Sequence, residues 1–80
     1  MTSSDTRKKV VEIVALVLER PVGLDEAVTR DNEPLWDSLR HIDILFAIES
    51  EFGVRFDERT AAEIQDVPQL VEAIKSARAE

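Results

Sequence analysis

From Leu39 to Phe52 the chain contains neither glycine nor proline, and Gly53 closes the run. Apolar residues fall at 39, 42, 45, 46 and 52, a spacing that returns to one side of a helix with 3.6 residues per turn. Ile44 and Ile48 lie outside that stripe. A helix that is apolar over so wide an arc is either buried nearly all round or keeps part of its apolar surface for a partner. The second option is open in a chain of 80 residues. Asp37 and Ser38 stand at the head of the run, and their side-chain oxygens accept the orphan backbone N–H groups of a first helical turn. A helix is therefore expected over 37–52, with Ser38 at its N-terminus.

The other segments read as helices around it. Residues 1–5 are polar and expected to fray, with Ser3, Ser4 or Asp5 available as an N-cap. Val10, Ile13, Val14, Val17 and Leu18 then repeat at helical spacing, predicting a helix over 5–19 that Arg20-Pro21 ends, because proline drives the preceding residue from the α region. Pro21 to Leu35 is a long connection, and long connections are usually functional or tied down. Val22, Leu24, Val28 and Leu35 are the residues expected to tie it, and Pro34 to stiffen its approach to Ser38. Gly53 is a C-terminal stop, Val54 and Phe56 a short extended link, and Asp57-Glu58 the start of a short helix over 58–64. Asp66 and Gln69 form a capping-box-like pair, with Pro68 tolerated in the first turn of a last helix over 67–77. Val67, Leu70, Val71 and Ile74 are its buried stripe, and residues 75–80 are expected to fray. The fold class is all-α, a four-helix bundle of three longer helices and one short one, in a single domain spanning 1–80.

Composition narrows the function. The formal net charge is −7, which argues against nucleic acid or an anionic membrane as partner and favours basic protein surfaces. No cysteine is present, so neither a disulfide nor a protein thiol contributes. No stretch approaches the roughly 18 apolar residues of a membrane span, and a cytoplasmic protein is expected. A chain of this size buries only about 60–65% of the surface its unfolded form exposes, which leaves a thin core. No catalytic cluster stands out. His41 lies three residues after Ser38, but Asp43 at i+2 from His41 does not share its helix face and cannot orient it. His41 also has no second histidine or cysteine with which to hold a metal, and it is expected to be a partly exposed contact residue.

Asp37-Ser38-Leu39, followed by Ile42, Ala47-Ile48-Glu49 and Glu51-Phe52, resembles the signature of acyl carrier proteins. Gly53-Val54, Ile64 and Asp66-Val67 extend the resemblance over roughly Leu35 to Ile74, and the long connection before the serine is similar too. The resemblance implies an acyl-carrier-protein-like helical bundle in which Ser38, flanked by Asp37 and Leu39, bears 4′-phosphopantetheine drawn from coenzyme A by a phosphopantetheinyl transferase. Acyl groups would ride on that arm as thioesters, loaded by a ligase and presented to acyl-processing enzymes. The carrier itself would be no enzyme, and a monomer. Positions matching Leu39, Ile42 and Phe46 face partners or the arm, whereas Ile44, Ile48 and Phe52 match core positions. Asp43 and Glu49 match acidic positions that meet basic residues on partners and steer encounter. With Trp36 and Arg40 these complete the partner-facing set.

The chain departs from the family pattern at three places. Arg40 stands where acidic or small polar residues are common. Trp36, the sole tryptophan, precedes the serine motif where smaller residues are frequent, as a packing residue over the long connection or as a determinant of transferase and cargo. His41 is the third. Trp-Asp-Ser-Leu-x-His-Ile is more similar to stand-alone carriers of specialised pathways than to the carrier of primary fatty-acid synthesis. An aminoacyl or peptidyl carrier shares the same signature. A different class, a small helical interaction module with no prosthetic group, would use the apolar arc of the second helix as a groove-binding surface.

Overall fold

The computed structural model describes residues 3–78, and the side chains of residues 5–78. Four helices follow one another: α1 (Ser3–Leu18), α2 (Ser38–Phe52), α3 (Glu58–Glu63) and α4 (Val67–Arg78). The all-α expectation holds: among the described residues the one β feature is an isolated antiparallel bridge between Thr29 and Asp66. Among the described residues no helix is long and apolar enough to cross a membrane.

Both ends of the described chain are more regular than expected. Residues 3–5 are already helical, and Asp5 sits within the first turn of α1 rather than capping it, where its charge suits the positive end of the helix dipole. At the other end α4 runs to Arg78, placing Lys75 and Arg78 in its last turn, where cations oppose the negative end. The fraying expected of residues 1, 2, 79 and 80 lies outside the described residues. Helix α1 stops at Leu18, ahead of Arg20-Pro21. Glu19 turns left-handed with φ 58°, the Glu19 N–H donates to the Leu16 carbonyl and the Arg20 N–H to the Ala15 carbonyl. That pair of bonds is the Schellman ending, built here on a residue other than glycine.

Helix α1 packs against both α2 and α4. Val10, Val14 and Leu18 from α1, Ile44 and Ile48 from α2, and Leu70 and Ile74 from α4 are fully buried. Phe52 packs partly buried against them. The buried face of α2 is therefore the row His41, Ile44, Ile48, and the stripe through 39, 42 and 46 points to solvent. Two apolar rows on opposite sides of one helix account for the width of the arc seen in the sequence.

The connection between α1 and α2 is tied down, though by a different set of residues from those expected. Val28 is buried and Val22 packs against the core. Leu24 and Leu35 keep 48% and 38% of their surface exposed; polar bonds hold the backbone there instead. The Arg7 guanidinium donates to the Leu24 carbonyl at 2.9 Å, and Glu33 accepts from the Leu35 N–H at 3.0 Å. Thr29 and Asn32 exchange side-chain-to-backbone bonds, Asn32 Nδ2 donates to the Ala27 carbonyl at 2.9 Å, and the Arg30 N–H donates to the Gln65 carbonyl at 2.8 Å. Arg20 lies 2.7 Å from Glu26 and 3.4 Å from Glu33.

Gly53 ends α2 as expected, left-handed at φ 65° with its N–H on the Glu49 carbonyl. Asp57 caps α3 by accepting from the Thr60 N–H at 2.7 Å, and α3 itself buries no side chain. Asp66 accepts from the Gln69 N–H at 3.0 Å. Gln69 Oε1 in turn accepts from the Gln65 N–H at 2.6 Å, one residue earlier than a capping box requires.

Candidate functional site: the serine at the head of helix α2

Asp37 is the N-cap of α2, with extended φ and ψ of −89° and −174°. Its Oδ1 accepts from the Arg40 N–H at 2.9 Å and its carbonyl from the His41 N–H at 2.8 Å. The carboxylate also lies 3.7 Å from the Arg40 guanidinium, so the positive charge that departs from the family pattern is turned onto the cap. Ser38 is the first residue of the helix and is exposed. First-turn N–H groups lack partners within the helix and, with the helix dipole, favour an anion attached at this position. Beside Ser38 opens a shallow depression of about 360 Å³ lined by Arg30, Asp31, Trp36, Asp37 and Gln65. Arg30 and Gln65 were not legible as site residues. They come from the connection and from the α3–α4 link, and are joined there by the backbone bond between them.

From Ser38 an apolar row runs down the outer face of α2. Leu39 is 74% exposed, Ile42 48% and Phe46 65%, and at i, i+3 and i+7 they share one side of the helix. Asp43 is exposed beside them. Three residues of the expected partner-facing set and its surroundings behave differently. Trp36 is only 2% exposed and His41 only 6%, so neither presents a contact surface. The indole N–H donates to His41 Nδ1 at 3.0 Å, and His41 Nε2 lies 2.9 Å from the Ala61 carbonyl. A large aromatic and an imidazole are admitted to the interior because each polar atom finds a partner there. Glu49 is drawn inward too: its carboxylate accepts from the Phe56 N–H at 2.8 Å, fastening the link that follows Gly53. The packing role weighed for Trp36 is the one it fills. The sole tryptophan and sole histidine flanking one helix start were the available signal for this pair.

No family model matches the sequence. The chain is 34% identical to acyl carrier protein 3 of Ralstonia nicotianae, over 99% of its own length and 92% of that protein's. The chain belongs to the acyl carrier protein family. It is also 36% identical over 74 residues to the acyl carrier protein of Petrotoga mobilis, covering 89% of this chain and 85% of that one.

Within this acyl carrier protein the chemistry available at Ser38 is that of an exposed hydroxyl on a firmly capped helix. His41 has both ring nitrogens engaged, by Trp36 and Ala61, and none is left to act on Ser38. Burial holds its pKa below the usual histidine value, partly offset by the bond to Ala61 and reinforced by the Arg30 charge. Among the described residues no group of three or more histidine, cysteine or acidic side chains is placed to hold a metal ion.

Proposed function

We propose that this acyl carrier protein bears 4′-phosphopantetheine on Ser38 Oγ and carries acyl groups between enzymes as a single carrier domain. The observation that carries the reading is the exposed serine at the first position of a capped helix, beside an open depression and at the head of an exposed apolar row. The residues present fit such a group. The first-turn amides and Arg30 suit a phosphodiester, and the depression leaves room for the first atoms of an arm. When bound, the arm supplies the thiol that a chain without cysteine lacks, and with it thioester chemistry.

The chain's own part is limited. Ser38 Oγ forms a bond to the phosphorus of coenzyme A that carries the pantetheine, the bond from that phosphorus to the nucleotide oxygen breaks, and the hydroxyl proton passes to a base of a separate transferase. Asp37 and Leu39 hold the serine at the helix start and mark its apolar side. Leu39, Ile42 and Phe46 form the surface that partners bury, with Asp43 and Arg40 at its edge. The partners are a phosphopantetheinyl transferase, a ligase that loads the thiol, and the acyl-processing enzymes that follow. The compartment is the cytoplasm, which supplies coenzyme A.

The test is the intact mass of the protein before and after incubation with coenzyme A, magnesium and a broad-specificity phosphopantetheinyl transferase. A gain of one phosphopantetheine in the wild type and none in Ser38→Ala is expected. No gain with several such transferases, the chain remaining helical by circular dichroism, would return the interaction module to first place.

A further inference from the structure

Trp36, His41 and Ala61 join three parts of the fold: the last residues of the connection before Ser38, the buried face of α2, and α3. The indole N–H can only donate. His41 Nδ1, 3.0 Å away, must therefore accept, which leaves the proton on Nε2 to be donated to the Ala61 carbonyl at 2.9 Å. One tautomer of the neutral ring satisfies both bonds. A second proton has one place to go, Nδ1, where it would face the indole N–H. Two donors then oppose each other at a buried contact, while the bond to Ala61 gains charge assistance.

We propose that the Trp36–His41 hydrogen bond is a proton-released latch: with His41 neutral it positions the segment leading into Ser38, and protonation of His41 frees Trp36 while keeping α3 attached. The surroundings suit this role. Trp36 stands two residues before Ser38, and its backbone N–H is tied only locally, to the Glu33 carbonyl at 3.0 Å, so its buried indole is what anchors the end of the connection. The packed elements carry charged groups that include Arg30, Asp31, Glu33 and Asp37 of the connection, Arg40, Asp43, Glu49 and Glu51 of α2, and Glu58, Arg59 and Glu63 of α3. Of these, Arg30 bears on the ring and opposes its protonation. Its cation and burial together favour the closed latch at neutral pH and move its release below the ordinary histidine midpoint.

The functional half rests on Ser38 being the attachment site. Trp36 and His41 are positioning residues, and their loss acts on how well the carrier is recognised rather than on the chemical step. Nuclear magnetic resonance of the full chain labelled with ¹⁵N tests the latch directly. His41 should show the Nε2–H tautomer at neutral pH and titrate below the ordinary histidine midpoint. The Trp36 indole N–H and the Asp37 and Ser38 amides should shift with that same midpoint, and tryptophan emission should move to the red. Trp36→Phe keeps an aromatic ring without the donor, and its His41 midpoint should rise. An Nδ1–H tautomer, or Trp36 and Ser38 signals that stay fixed while His41 titrates, overturns the latch, and the wild-type spectra decide this even if the variant does not fold.

In the transfer assay, lowering the pH through the midpoint should raise the transferase KM for the wild-type carrier several-fold with kcat little changed, relative to a Trp36→Phe carrier whose KM is already high at neutral pH. A wild-type KM that follows the variant's at every pH would overturn the coupling to Ser38. Absence of transfer at any pH is a different result, the failure of the attachment reading, and leaves the spectra to judge the latch.

Discussion

Glu19 and Gly53 occupy the same place in two helix endings, with φ 58° and 65° respectively. Only glycine takes that conformation without a Cβ penalty of about 1 kcal/mol or more. Glu19→Gly should therefore stabilise the protein by about 0.5–1 kcal/mol, since Glu19 is exposed. Gly53→Ala should destabilise it by about 1–2 kcal/mol through backbone strain alone, because a Cβ there would meet no atom within 4 Å. Urea unfolding of the two variants checks both signs. A second pair of residues separates core from surface on one helix. Ile48 is fully buried, and Ile48→Ala should cost about 2–5 kcal/mol, a large part of a stability of order 5–15 kcal/mol. Phe46→Ala, on the outer row, should change stability by no more than about 0.5 kcal/mol yet slow the proposed modification of Ser38. Thermal melts and transferase kinetics on the two variants distinguish these effects.

At the scale of elements, the helices differ in what holds them. Helices α1, α2 and α4 each contribute fully buried side chains to a shared core, whereas α3 contributes none. It is held by the Asp57 cap, by Ile64 immediately after it and by the hydrogen bond from His41 to Ala61. Local opening follows the supply of buried apolar contact. Amide hydrogen exchange should therefore find Ala61 to Glu63 among the least protected helical amides, exchanging well before those of α1 and α4 at neutral pH. Protection of α3 equal to that of α4 would contradict this. The connection before α2 behaves differently for a chain so rich in polar residues. Buried Val28 and Trp36, the Thr29–Asp66 bridge and the Arg30-to-Gln65 bond fix it at several points.

For the whole molecule, three groups tie stability to pH with the same sign. His41 is depressed by burial. The unfolded chain therefore binds its proton more readily, and the stability from neutral His41, complete above about 6.5, is lost as pH falls through the depressed value. Glu26 is lowered by the Gly23 backbone N–H and by Arg20, and Asp57 by Thr60. Their contributions are present above the ordinary carboxylate range and lost as pH falls through the lowered values; both are exposed, so solvent screening keeps them small. Unfolding midpoints measured against pH should fall in two stages, first below neutrality and then in the carboxylate range. His41→Gln should flatten the first stage and leave the second.

Much of this was already written in the order of residues. Helix positions follow from apolar spacing, from Asp37, Asp57 and Asp66 as caps and from Gly53 as a stop, because these are interactions between near neighbours that every copy of the pattern makes. The serine proposed for attachment is legible for the same reason: it lies within a local motif at a helix start. Which face of α2 would be buried was not legible from spacing, since His41, Ile44 and Ile48 compete with Leu39, Ile42 and Phe46 and only the placement of α1 and α4 decides between them. Nor was the inward turn of His41 and Glu49, or the choice between the two roles open to Trp36. Each is a polar or amphipathic side chain that reads as surface until a distant backbone or ring atom comes within hydrogen-bond distance. Burial then becomes favourable because the tertiary fold supplies the partner that water would otherwise be.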